Sequence, residues 1–263
     1  YSVRTVTLKT SEELIAACGN SKYKAIILTA PSRRDGSALR KPYATYSDAE
    51  LDAIASFNGA GGMVILAGWS DHYESYESFP AADHMAAQQN LVLAKLGSSL
   101  RISDDGTLDD KLNGGQPQRL YFSSYNLDNP LMTGVEFDPE HPNDVLYTER
   151  FSQYGGASIY AVDANGYPTS TLPATVSPMV YGHVTTYSKD QDSDGLGGTA
   201  TPKYAFAENG PRLLVMATEQ LAGKGMIIVS GAAFMSNFEV QATIEDSGAE
   251  KNYSNYKICQ NLV

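Results

Sequence analysis

Cysteine is scarce. The 263 residues contain two, Cys18 and Cys259, and neither has a CxxC or metal-ligand spacing. That excludes a disulfide-dense scaffold and a thiolate metal centre. Both sit in apolar helical contexts and read as buried free thiols, with a bridge between them left open. Long hydrophobic runs are also missing. No stretch approaches the ~20 apolar residues of a membrane span, so membrane insertion is not expected. There is no secretory leader and no initiator methionine, and Tyr1-Ser2 runs directly into strand-like sequence. The chain therefore reads as part of a longer protein. Internal repeats and low-complexity tracts are absent. Positive charge is outweighed, with 19 Lys and Arg against 30 Asp and Glu, a net charge of −11. Such a surface repels phosphate backbones, so no nucleic-acid partner is expected.

What is present is an α/β pattern. Residues 3–8 alternate and read as a strand. Thr10 or Ser11 then caps a helix with Glu12 and Glu13 in its first turn. Residues 25–28 form a continuous apolar run, expected as a strand buried on both faces of a parallel sheet. A polar, basic loop covers residues 32–45. Ser47 with Glu50 makes a capping box for a second helix carrying Leu51, Ile54, Ala55 and Phe57. The Gly59-Ala60-Gly61-Gly62 turn leads to a strand over residues 63–67. A loop follows, then a helix over residues 83–96 closed by Gly97. The expected fold is α/β, a flavodoxin-like parallel sheet with helices on both faces. A β-rich, loop-heavy insertion at about 101–205 interrupts a single domain spanning 1–263. Strands are expected near residues 155–162, 176–187, 212–217 and 226–230, and a final helix over about 252–262.

Three segments carry a family resemblance. They are residues 23–31, a strand ending in Thr-Ala-Pro; residues 47–68, SDAELDAIASFNGAGGMVILAG; and the ending, RLLVMATEQLAGKGMIIVSGAAFMSNFEV with NYSNYKICQNLV. Together they resemble the class I glutamine-amidotransferase-like domain, in the non-catalytic branch of intraflagellar-transport and bacterial surface proteins. Catalytic members place a Cys in a G-x-C-x-G elbow. Here that position reads Ala67-Gly68-Trp69-Ser70-Asp71, with neither the Cys nor the second Gly. The resemblance thus implies a non-catalytic accessory or binding module of a secreted or cell-surface bacterial protein, extracellular or cell-wall associated. Its partners would be neighbouring domains of the same chain, of nuclease or phosphoesterase type, and a glycan or protein ligand.

Three loops could carry chemistry. Asp190, Asp192 and Asp194 alternate before Gly195, as in the first half of a calcium loop; Ca²⁺ wants six to eight oxygens. Thr201 stands where a complete EF-hand has its Glu, so the remaining ligands must come from elsewhere and the ion's role would be structural. The second loop is Trp69-Ser70-Asp71-His72-Tyr73-Glu74, after a buried parallel strand, where open α/β sheets bind ligands. It offers a pocket for a ligand, with a glycan stacking on Trp69 and nearby tyrosines as one form. The alternative is a hydrolase using Ser70, His72, His84 and Glu74. The third, Asp138 to Asp144 with His141, reads as a surface turn. His183 reads as a satisfied core histidine, and Arg33-Arg34 with Lys41 as a solvated basic loop. The 59–62 glycines precede a strand rather than follow one, so no nucleotide cofactor is expected through them.

Overall fold

The computed structural model describes residues 5–31, 34–35, 38–39, 45–74, 80–198, 201–206, 210–240 and 253–262. The chain begins with α1 (Ser11–Cys18), capped by Thr10, whose side chain accepts from the Glu13 amide. Then come β1 (Ala25–Thr29), the ribbon β2 (Arg34–Asp35) and β3 (Ala38–Leu39), α2 (Asp48–Gly59), β4 (Met63–Ala67) and α3 (Met85–Leu96). The Ser47–Glu50 capping box forms, and Gly97 ends α3 at φ 78. That left-handed conformation favours glycine. The β-rich stretch contributes β5 (Leu100–Ile102), β6 (Gly106–Leu108), β7 (Arg119–Phe122), β8 (Ser124–Tyr125) and β9 (Phe151–Tyr154). It continues with β10 (Ile159–Val162), β11 (Pro168–Thr169), β12 (Val176–Tyr181) and β13 (Tyr187–Lys189). The chain closes with β14 (Leu214–Glu219), β15 (Ile227–Ser230) and α4 (Ser254–Asn261).

The protein is mixed α/β, and its main sheet is mixed rather than parallel throughout. Its order is β1-β4-β15-β14-β10-β11. β4 pairs in parallel with β1 and β15, while β14 joins β15 in antiparallel. β12 pairs antiparallel with β14, and β5 with β10. The parallel reading holds for the helix-linked strands. It fails for β14 because the link from β14 to β15 is a short turn at Gly223, φ 73. Such a turn returns a strand antiparallel; a parallel return needs a crossover of a dozen or more residues.

Strand alternation sends side chains to two cores. Ile26, Leu28, Val64, Leu66, Ile227 and Val229 face α2 and α3, meeting Leu51, Ile54, Phe57, Val92, Leu93 and Leu96. Ile65, Ile228 and Val215 face the other way, against Leu120, Phe122, Phe151, Phe234 and Ile258 of α4. Each such side chain contributes about 1.5–3 kcal/mol when fully buried. Helices α1 to α3 thus gather over one face, and β7, β9 and α4 cover the other.

Two sequence expectations are corrected. Residues 5–8 form no strand, and residues 1–4 lie outside the described residues. β1 is not buried on both faces: it alternates, and Ile27 is 49% exposed. β1 pairs with β4 on one side and ends the sheet path, and a continuous apolar run cannot distinguish such a strand from an inner one. In residues 32–45 the described parts include the β2–β3 ribbon; Arg33 and Lys41 lie outside the described residues.

Candidate functional site

The parallel strands β1, β4 and β15 end side by side, and the chain turns sharply after β4. Gly68 donates its N–H to Ser230 O at 2.8 Å, which extends the ladder by one residue. Ser70 then donates to Gly155 O at 2.9 Å and caps a single 3-10 turn over Asp71–Tyr73 by accepting from the His72 amide. With about three residues per turn, Asp71 and Glu74 fall on the same side. Both are buried, as is Ser70. Trp69 and Tyr73 lie on the opposite side, their rings stacked at 4.2 Å and 19°. The Tyr73 ring rests on Gly155, where a Cβ would come within 2.6 Å of it.

The aromatic side opens into a cleft of about 480 Å³ at the strand ends. Thr29, Ala67 and Gly68 form its floor, and Trp69, Tyr73, Tyr154 and Phe238 its walls. Trp69 is 39% and Phe238 57% exposed, although Tyr73 stacks on the first ring and the Arg119 guanidinium lies over the second. Glu239 lines the same cleft, but its carboxylate is held: it accepts from Tyr154 N at 2.7 Å, pairs with Arg119 at 3.2 Å and accepts from Ser152 Oγ. From the helical side, Gln89 of α3 donates to Ala67 O at 2.9 Å, a second bond to a carbonyl that also accepts from Ala30 N.

The polar side meets the aspartate loop. The Gln191 amide donates to Asp71 Oδ2, and Gln191 Nε2 to Ser70 Oγ, each at 2.8 Å. Ser70 Oγ gives its own proton to Asp71 Oδ1 at 3.0 Å. Burial pushes the Asp71 carboxyl up to about 7; hydrogen bonds from Gln191 and Ser70 oppose this, while the charges of Asp192 and Asp105 add to it. Burial and the charge of Asp194 raise Asp192 to about 6. Oxygens of Asp71, Asp190 and Asp192 all lie within 4.8 Å of one another, a spacing that could hold a metal ion. Glu74 accepts from the Met85 amide at the start of α3.

His84, which the hydrolase alternative offers beside His72 as a partner for Ser70, lies among carboxylates. Its Nδ1 lies 2.7 Å from Asp104 and 3.2 Å from Glu74, and its Nε2 3.3 Å from Asp194. Burial lowers its pKa, but the Asp104 hydrogen bond and the surrounding charges outweigh that and raise it to about 9. The imidazolium is then the internal counter-charge of this part of the cluster. His84, Glu74 and Asp192, and separately His84, Asp104 and Asp194, also have metal-capable spacing. His72 is exposed, its ring edge-on to Tyr73 at 5.3 Å.

Elsewhere, His141 pairs with Asp138 at 2.9 Å in an exposed i,i+3 arrangement. His183 is buried with Nε2 on Tyr121 O at 3.0 Å. Cys18 and Cys259 are free and partly buried. Sequence reasoning missed Asp104, Gln191, Tyr154, Phe238 and Glu239 as members of this region. Asp104 reads as a plain turn in Asp-Asp-Gly, and residues 80 to 170 positions from the 69–74 turn leave no local signal.

No family model and no curated protein matches this chain. Eight solved chains do. One is the mmIFT52 N-terminal domain, 12% identical, covering 100% of this chain and 83% of that one, with a TM-score of 0.49. Another is the Cytoplasmic Protein STM3548 from Salmonella typhimurium, 10% identical, covering 98% and 74%, with a TM-score of 0.39. Neither likeness supplies a function for this chain.

Proposed function

We propose that this chain is a non-catalytic binding module whose ligand, a glycan, docks in the aromatic cleft at the carboxyl ends of β1, β4 and β15. The observation that carries this reading is the Trp69–Tyr73 stack at the mouth of an apolar cleft in the position where α/β sheets bind ligands. Aromatic faces accept the C–H faces of sugar rings, and the amphipathic tyrosines suit a ligand that is apolar on one side and wet on the other. Ser70 argues for binding over hydrolysis, because its hydroxyl is buried. A nucleophile needs an approach path for its substrate. The finer fold reading, a flavodoxin-like core of an amidotransferase-like domain, belongs to the same proposal, as does an extracellular setting.

Calcium remains part of the reading, as a loop-ordering ion at Asp190 and Asp192, while Asp194, the third ligand expected from the sequence, groups with His84 and Asp104. The specific support is Asp71, which brings an oxygen from a distant segment to a loop that lacks its own last ligand. Calcium would raise the melting temperature of the wild type but not of Asp190→Asn; equal melting curves with and without the ion would remove it from the account.

The test is a glycan screen of the wild type beside Trp69→Ala. Binding that disappears in the variant supports the proposal. Turnover of an ester or phosphoester that disappears in Ser70→Ala or His72→Ala would replace it with the hydrolase reading.

A further inference from the structure

The cleft wall and the aspartate loop belong to different segments, yet one residue joins them. β13 pairs with β6 so that Lys189 lies opposite Gly106. The chain leaving β13 therefore crosses directly over Gly106, and the side chain of Gln191 fills the space above it. A Cβ at Gly106 would stand 1.7 Å from Gln191 Nε2 and 2.8 Å from Ser70 Oγ. The position works as glycine because the Gln191 amide needs that gap to reach Ser70. From there Gln191 grips the 69–74 turn at two points, through its backbone N–H on Asp71 and its side-chain amide on Ser70. Both gripped residues are buried, and each neighbours or lies within two residues of the stacked rings.

We propose that Gln191 is a positioning residue for the ligand cleft, holding the Trp69–Tyr73 wall from behind without touching the ligand. The inference rests on the cleft being the binding site, but its first readout does not need a ligand. A single turn of 3-10 helix has few bonds of its own and is easily re-set by its contacts. Of the two grips, the side-chain one is removed by mutation, and the backbone one loses its register when the loop no longer sits on Gly106.

Trp69 is the sole tryptophan, so its emission reports the wall directly. The experiment compares acrylamide quenching and emission maximum in the wild type, Gln191→Ala, Gln191→Glu and the control Gln220→Ala, an exposed residue beside the β14–β15 turn at the opposite end of the strands. Gln191→Glu keeps the volume and loses the donor to Ser70. Both Gln191 variants are expected to raise the quenching constant about twofold and shift the emission, with unchanged far-ultraviolet circular dichroism. Losing one such hydrogen bond should also weaken binding about fivefold for any oligosaccharide the wild type binds. Gln220→Ala should match the wild type. Trp69 emission and quenching unaltered in both Gln191 variants would overturn the proposal. If the wild type binds no oligosaccharide, the glycan reading fails, while the Trp69 signal still decides the role of Gln191.

Discussion

The two faces of the central sheet are built differently. On the helical face, α2 and α3 press apolar stripes onto Ile26, Leu28, Val64 and Leu66, and the buried polar groups Asn58 and Gln89 serve nearby backbone carbonyls. The other face mixes Phe122, Phe151 and Phe234 with a web of buried polar groups. The Tyr125 hydroxyl lies 2.9 Å from both Phe122 O and Glu149 O, with one proton to share between them, and Asn255 bridges Ser152 and Phe234. Helices satisfy their own backbone, so they can cover a sheet with hydrocarbon alone. Irregular chain brings unpaired backbone groups, which must find side-chain partners. The cleft lies where the two faces meet, floored by strand ends and walled by Tyr154 and Phe238.

The contrast can be broken first in the cores. Phe122→Ala should cost about 3–5 kcal/mol and Ile54→Ala about 2–5 kcal/mol, since both sites are fully buried. Urea denaturation would check this, and a Phe122→Ala loss below about 1 kcal/mol would mean the β-rich face is loosely packed. Next, Asn255→Ala should cost about 1–3 kcal/mol by stranding the buried Ser152 amide, whose bond to Asn255 Oδ1 is 2.6 Å. Such polar dependence is expected of this face.

A third test is pH. Burial raises the Glu149 carboxyl from its usual value of 4.5 to about 7, with Lys257 partly opposing. The folded state thus prefers the protonated form. The stability tied to this group is complete below about 4.5 and declines as pH rises toward 7, then levels off. Glu149→Gln should remove that decline and melt higher than the wild type at pH 8, with the difference shrinking at pH 4.5. An equal difference at both values would contradict the burial argument. A smaller loss of stability, about 0.5–1.5 kcal/mol, is expected from Trp69→Ala, whose ring is partly exposed but stacks on Tyr73.

Legibility followed the same division. The cap at Thr10 or Ser11, the capping box at Ser47, the Gly97 stop and the strands at β4, β14 and β15 could be read, because period and cap are local signals. The antiparallel addition of β10, β12 and β14 could not, because pairing direction is set by contacts between distant segments. At the site, Trp69, Asp71, Tyr73 and the aspartate loop were visible as motifs. Their meeting was not: Asp190 and Asp192 reach Asp71 across more than a hundred residues, and His84 joins Asp104 and Asp194 rather than Ser70. Composition marks which residues can do chemistry, and the sheet decides which of them share a site.

The most direct measurement is a titration of Trp69 fluorescence with oligosaccharides that stack on aromatic rings. The account predicts a saturable change in emission that is weakened in Tyr73→Ala, since Trp69 and Tyr73 form one wall. Emission that stays flat across the panel, from a folded protein with Trp69 in place, would contradict it.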